Sequence, residues 1–271
     1  MRIAWTELPG RLQAAIKDRT GLIHDIQPAT RGNHAHIAST LHTAHGRVFV
    51  KAARKTSPDT DGAEVRALRW EAAVNPYVGE FAPRLLWRAE AGGWLALGFE
   101  HVDGRHADYS PGSPDLSALA KTIRSLQRTP CPPIVKSRVE RRWQSTGVDV
   151  TSTAGDTLLH TDVNPDNLLL APDGRVHLVD WAFVARGAAW VEVGLVIPWL
   201  LKAGHSPADA AAWIDQFPSW SRADAAGIDA FSEALARRWR DQCERDSTEW
   251  VLEHAVVTRQ WAQYRQMTGV S

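Results

Sequence analysis

Cysteine is nearly absent from this chain. Cys131 and Cys243 are the only two, and they lie far apart. They make neither a Cys-x-x-Cys pair nor a disulfide framework. Long apolar runs are missing too. No stretch of about 18 apolar residues occurs, so no membrane span is expected. The opening segment "MRIAWTELPGRLQAAIKDRTG" lacks the apolar core of a secretory signal. There is no excess charge of either sign: 31 Lys and Arg face 31 Asp and Glu. A general nucleic-acid binder would carry a basic surplus. Internal repeats and low-complexity tracts are also lacking. These absences lead us to expect a soluble cytoplasmic protein, monomer or homodimer, with neither nucleic acid nor membrane as partner.

What is present suits a folded enzyme-sized chain. Hydrophobic residues make up 44% of 271, enough for one large domain or two lobes. Residues 1–60 hold nine Lys/Arg against four acids. A solvated surface accounts for that as readily as a phosphorylated ligand does.

Residues 6–19 read as an amphipathic helix, with Leu8, Leu12, Ala15 and Ile16 on one face. "LIHDIQPAT", "AHIASTLHT" and "VFVKAA" follow as three strands of an antiparallel meander. "DGAEVRALRWEAAVN" has helical spacing at Val65, Leu68 and Ala72. "PRLLWRA" and "WLALGFE", joined by "EAGG", form a second hairpin. Past "HVDGRH" the pattern changes to helix, beginning with "SPDLSALAKTIRSLQRTP". Short strands return between 157 and 180, and nearly everything from about 190 onward is helical in pattern. The expected boundary between lobes lies near Glu100–Gly104, giving units 1–100 and 101–271.

One stretch stands apart. "LLHTDVNPDNLLLAPDGRVHLVDW" at 158–181 sets His160, Asp162, Asn164, Asp166, Asn167 and Asp180 among apolar strands. Burying carboxylates beside a hydrophobic run costs several kcal/mol per ion unless something pairs with them. "APDGR" is a strong turn signal. The hairpin it closes brings Asn167 and Asp180 near each other, where their oxygens suit a hard cation such as Mg²⁺. Asp162 lies on the loop leading into the hairpin. Asp166 falls outside the pattern and is set aside as a solvated loop acid.

The pattern His160-x-Asp162-x-x-x-x-Asn167, then Asp180-Trp181-Ala182, resembles the catalytic loop and metal motif of the protein-kinase-like superfamily. It is closest to the aminoglycoside phosphotransferases, whose loops tend to read "HGDxxxxN". The resemblance implies an α+β, bilobal protein-kinase-like fold, with a small antiparallel-sheet N-lobe for nucleotide and a larger, mainly helical C-lobe for catalysis and substrate. It further implies ATP and Mg²⁺ as cofactors and a small-molecule hydroxyl as acceptor: an antibiotic, a sugar or an amino alcohol. Asp162 would accept or orient the hydroxyl proton, and His160 would brace its loop. Asn167 and Asp180 would hold Mg²⁺.

Lys51 in "RVFVKAA" matches the family's third-strand lysine. Glu64, 13 residues later, is the preferred partner for it, ahead of Glu71 on the same helix, because Glu64 precedes a Leu-x-Trp run resembling the family's. The phosphate loop "TRGNHAH" has one glycine, Gly32. Gly32, Asn33 and His34 are expected near the phosphates, with His36 as an alternative to His34. "FEHVDG" matches the linker between lobes, so backbone groups from Glu100 to Val102 would meet the adenine edge. No Ala-Pro-Glu element follows Asp180, which leaves little room for a peptide platform. Glu192 in "VEVGL" stands near where the small-molecule kinases carry an aspartate; it either braces the loop or is exposed.

Other features weigh less. His34, His36, His42 and His45 cluster, but no Cys or Glu joins them at zinc-ligand spacing. Eight of 13 tryptophans lie from Trp181 onward. Most are expected in a helical core, with Trp220 or Trp250 nearer the acceptor. Residues 201–271 hold ten acids against eight Lys/Arg, too mild a surplus to argue for a polycation. Glu249 and Glu253, one turn apart, form the best acidic pair for substrate.

Overall fold

The structure is a computed structural model describing residues 3–30, 35–57 and 59–269. The chain forms two compact units, Met1–His106 with Asp166–Phe183, and Ala107–Pro165 with Val184–Ser271. This differs from a single cut near residue 100. Residues 166–183 return to the first unit because their backbone is paired there. Strand β6 (Arg105–His106) pairs with β8 (Leu168–Leu170), which pairs with β9 (Val176–Leu178). The Leu178 N–H also donates to the Phe81 carbonyl at 2.9 Å.

In the first unit, β1 (Ile23–Pro28), β2 (Ile37–Thr43), β3 (Gly46–Arg54), β4 (Leu85–Ala91) and β5 (Trp94–Glu100) form an antiparallel sheet in the order β1-β2-β3-β5-β4. Successive side chains of a strand alternate between faces, and β5 uses both. Trp94 and Ala96 join Leu8, Leu12 and Ile16 beneath α1 (Gly10–Thr20). Leu95, Leu97 and Phe99 join Val65 and Leu68 of α2 (Ala63–Val74) on the other side. Each large side chain buried this way stabilises by about 1.5–3 kcal/mol. Gly98 is required by packing: a Cβ there would lie 2.2 Å from the Trp87 ring.

In the second unit, β7 (Thr157–Leu159) pairs with β10 (Ala185–Gly187). Around this ribbon lie α3 (Asp115–Arg128), α4 (Trp190–Lys202), α5 (Pro207–Ile214), α6 (Pro218–Ser221), α7 (Ala225–Cys243) and α8 (Glu249–Thr268). Tryptophans fill its interior. Trp190 meets Phe231 at 5.4 Å and Trp220 at 6.1 Å between ring centres. Trp261 is 2% exposed and satisfies its indole N–H on the Ser232 hydroxyl at 3.1 Å, as a buried indole requires. Among the described residues no helix is long and apolar enough to cross a membrane.

Candidate functional site

The first unit contains a pocket of about 320 Å³ lined by Lys51, Glu71, Phe99, Val102, Asn167 and Asp180, among others. Lys51 sits mid-strand on β3, paired with Leu97 of β5. Its Nζ donates to Glu71 Oε1 and Oε2 at 2.8 and 2.9 Å and to Asp180 Oδ1 at 3.3 Å. The three side chains are largely shielded from water, at 13%, 6% and 14% exposure. Burial works against the Lys51 ammonium, but Asp180 and Glu71 outweigh it and hold the group above the ordinary lysine range. A backbone N–H of Trp181 also reaches Glu71. Glu71 therefore ties helix α2 both to the lysine and to the segment that carries Asp180.

Glu71, not Glu64, is the lysine's partner. The two acids are seven residues apart, about two helical turns, so they share one face and periodicity cannot separate them. Position along the helix does. Glu64 lies half-buried in the first turn of α2, whereas Glu71 is buried deep in the unit.

Backbone hydrogen bonds aim Asn167 and Asp180 into the pocket. The Val179 N–H donates to the Asn167 carbonyl at 2.9 Å, which sets the hairpin register. Asp180 adopts φ +67°, a left-handed conformation uncommon for residues other than glycine. Trp181 pins that turn: it is 1% exposed, donates its indole N–H to the Leu178 carbonyl at 2.8 Å, and lies 6.1 Å from the Phe81 ring. Asp166, set aside in the sequence, also lines this pocket.

Glu100, His101 and Val102 also line the pocket. The Glu100 N–H donates to the Arg84 carbonyl at 2.9 Å, and its carboxylate pairs with the Arg84 guanidinium at 2.8 Å. The Glu100 N–H is thus engaged with the neighbouring segment. His101 Nδ1 lies 3.3 Å from the Thr40 hydroxyl, and burial lowers its pKa. Gly32, Asn33 and His34 lie outside the described residues. His36 packs edge-on against Trp94 at 5.6 Å, and its Nδ1 accepts the Arg54 N–H.

The second unit holds His160, Thr161 and Asp162 just after β7. Glu192, at the start of α4, is fully buried. It accepts the His160 N–H at 2.5 Å and the Thr161 N–H at 2.9 Å. Thr161 has φ +70°, unusual for a β-branched residue, and such strain persists only where surrounding bonds enforce it. Here the Glu192 carboxylate does so. The buried His160 ring accepts the Asp162 N–H on Nδ1 at 3.2 Å. Asn164 donates to Asp162 Oδ1 at 2.9 Å.

Burial raises Glu192 to about 7 against the bonds from Thr161 and His160 and the nearby Arg142 charge. Burial also lowers Arg142 to about 10, partly offset by Glu192. A sequence signal for Glu192 existed: it is the sole acid in the apolar run "WVEVGLVIPWLL", and lone buried acids are normally paired. Arg142 had none, since it is one basic residue among several in "RVERRWQ".

The expected substrate-side residues separate. Trp220 is 5% exposed and packs in the core against Trp190 and Trp261, so it does not face a ligand. Core packing at helical spacing explains it better. Trp250 is 47% exposed and stacks on His254 at 5.6 Å. Glu249 is exposed at the start of α8, and Glu253 pairs with Lys202 at 3.1 Å.

Asn167 and Asp180 offer one amide and one carboxylate oxygen set, which suits a cation that completes its octahedron with phosphate oxygens and water. Among the described residues no three His, Cys, Asp or Glu side chains gather into a self-sufficient metal site.

No protein-family model matches the sequence, and no curated protein does. Solved structures do match. Aminoglycoside phosphotransferase APH(4)-Ia is 11% identical over 96% of this chain and 98% of its own, with TM-score 0.65. An aminoglycoside phosphotransferase from Alicyclobacillus acidocaldarius is 14% identical over 97% of each chain, with TM-score 0.60. Choline kinase LicA from Streptococcus pneumoniae is 13% identical over 93% of this chain and 98% of its own, with TM-score 0.55. The fold is that of the aminoglycoside phosphotransferases and choline kinase. This phosphotransferase-like fold is α+β and bilobal, of the protein-kinase type. Two structures that share it, of spectinomycin phosphotransferase APH(9)-Ia and of LicA, contain AMP.

Proposed function

We propose that the protein is an ATP-dependent phosphotransferase that moves the γ-phosphoryl group to a hydroxyl of a small molecule. The observation that carries this reading is Lys51 held between Glu71 and Asp180 in a pocket that Asn167 also lines. A cation on a rigid strand, fixed by two acids and set beside oxygen ligands, is what binding and aligning a triphosphate calls for. The AMP held by proteins of the same fold supports a nucleotide as the ligand.

In this reading Lys51 binds phosphate oxygens, and Asn167 and Asp180 would hold Mg²⁺. When bound, Mg²⁺ would neutralise charge on the phosphates. Asp162 orients the acceptor hydroxyl and takes its proton as the oxygen bonds to the γ-phosphorus and the bond to the β-phosphate oxygen breaks, releasing ADP. Asp162 precedes Asn167 by five residues in sequence, so one loop carries both functions. Positioning and charge stabilisation supply most of the rate enhancement. His160 and Glu192 act as positioning residues for that loop.

The test is a phosphorylation screen of the full chain with Mg·ATP against aminoglycosides, nucleoside and peptide antibiotics, sugars and amino alcohols. An ATP-dependent, singly phosphorylated product that is lost in Asp162→Asn supports the reading. Nucleotide binding with no product across the whole screen would instead favour a binding module.

A further inference from the structure

Tyr109 is buried in the second unit, and the reaction proposed above gives it no task. The residue is 1% exposed, and its O–H has no hydrogen-bond partner among the described residues. A buried hydroxyl left unpaired is costly, and native proteins meet such groups with ordered water or give them a function. We infer that Tyr109 is a positioning residue for Asp162, its O–H donating to a bridging water that in turn donates to the Asp162 carboxylate. The inference rests on the phosphotransferase reading, which makes Asp162 the base.

The backbone around Tyr109 is fixed on both sides. The Asp108 N–H donates to Asp115 Oδ2 at 2.9 Å, at the start of α3. The Asp108 carboxylate accepts the Ser110 N–H and hydroxyl at 2.9 and 2.8 Å. The Tyr109 carbonyl itself accepts from the buried His205 Nε2 at 2.8 Å. Burial then holds the ring in place.

Three acids lie close enough to act on the phenol by charge. Burial holds it well above its ordinary range, and Asp162, Glu192 and Asp115 push it further, Asp162 the most of the three. The phenol therefore stays protonated at any working pH and offers a permanent O–H donor. Glu192 already accepts the His160 and Thr161 N–H groups with its two oxygens, and Asp115 Oδ2 accepts that of Asp108. Asp162 lies within reach of charge and beyond direct hydrogen-bond distance of the Tyr109 O–H, a gap that one water spans. A donor at a carboxylate favours its ionised form, which is the form a general base needs. Also acting on Asp162 are His160, whose ring accepts the Asp162 N–H, and Arg142 from Val139–Thr146, which lies between the charges of Glu192, Asp162 and Arg238.

The experiment has two readouts on the full chain. In the first, the three tyrosines, Tyr77, Tyr109 and Tyr264, are replaced by 3-fluorotyrosine and followed by fluorine NMR across pH, with Tyr109→Phe assigning the Tyr109 resonance. That resonance is expected to show a titration step that Asp162→Asn abolishes, beside the step near pH 7 that Glu192 gives. In the second, the acceptor found in the phosphorylation screen is used to compare Tyr109→Phe with wild type. The variant keeps the ring and loses only the donor. Its kcat should fall by about tenfold, and the acid limb of kcat/KM should move up by about one pH unit, as a carboxylate does when it loses a donor. Mg·ATP affinity should stay within twofold. An acid limb that does not move, Mg·ATP affinity that falls as far as kcat, or a Tyr109 resonance indifferent to Asp162 overturns the inference. The absence of product from every acceptor removes the phosphotransferase reading instead, and the fluorine titration still decides whether Tyr109 is linked to Asp162.

Discussion

Lys51 donates to both carboxylate oxygens of Glu71, at 2.8 and 2.9 Å, from a strand to a helix 20 residues further along the chain. The same ammonium reaches Asp180. One lysine thus joins the sheet, α2 and the β9 turn. Glu71→Gln is expected to weaken Mg·ATP binding by about ten- to a hundredfold, since a charge-assisted bond contributes roughly 1.5–3 kcal/mol. Glu64→Gln should change it less than twofold. Calorimetric titration of both variants checks this, and equal effects would contradict the pairing.

Asp180 sits at a strained turn beside the lysine. Saturation of the wild type with Mg·ATP at a hundred times Kd should stabilise it by about 2.7 kcal/mol. Asp180→Ala should lose most of the resulting rise in Tm. The rise should also be lost in the wild type when Mg²⁺ is chelated. An undiminished rise in the variant would remove Asp180 from the metal assignment.

Asp162 has its backbone and one oxygen fixed by His160 and Asn164. Asp162→Asn keeps the shape and removes the base. Turnover is expected to fall by about 10²–10⁴-fold, with Mg·ATP affinity within twofold of the wild type. Single-turnover kinetics separate these effects, and near-normal turnover would eliminate the assigned role.

Glu192 links stability to pH. Burial raises its pKa from 4.5 to about 7 in the folded protein, so between those values the folded state binds more protons than the unfolded state. Its contribution is therefore fully present below about pH 4.5 and is lost as pH rises through about 7. A shift of this size corresponds to on the order of 3 kcal/mol. Glu192→Gln does not titrate. The difference in unfolding free energy, wild type minus variant, should fall as pH rises from 5 to 8. A pH-independent difference would show that Glu192 keeps an ordinary carboxylate pKa.

Much of the first unit was legible because local patterns and tertiary structure agree there. Alternation along β3, the near-continuous apolar run of β5 and helical spacing in α2 identify these elements before any contact is known. The turn "APDGR" brings β8 and β9 into register and so sets Asn167 near Asp180 on one hairpin. The resemblance to the small-molecule kinases singled out Lys51, which the structure brings to Asp180 in one pocket.

Other features depended on positions that spacing does not specify. Glu64 and Glu71 share a helical face, and only depth of burial tells them apart. Trp220 and Trp250 are the same residue type on neighbouring helices; one fills the core at 5% exposure and the other is 47% exposed. Asp166 reads as a loose loop acid until the turn before β8 sets it on the pocket wall. Arg142 and Glu192 approach through chain segments 50 residues apart, with no pattern to announce it. The sequence by itself determined the elements and the chemical types of the candidate residues, because these follow from short-range periodicity and turn chemistry. Only the tertiary structure decided which acid meets the lysine, which tryptophan is interior and which carboxylate braces the loop, because burial and charge pairing depend on contacts between distant segments.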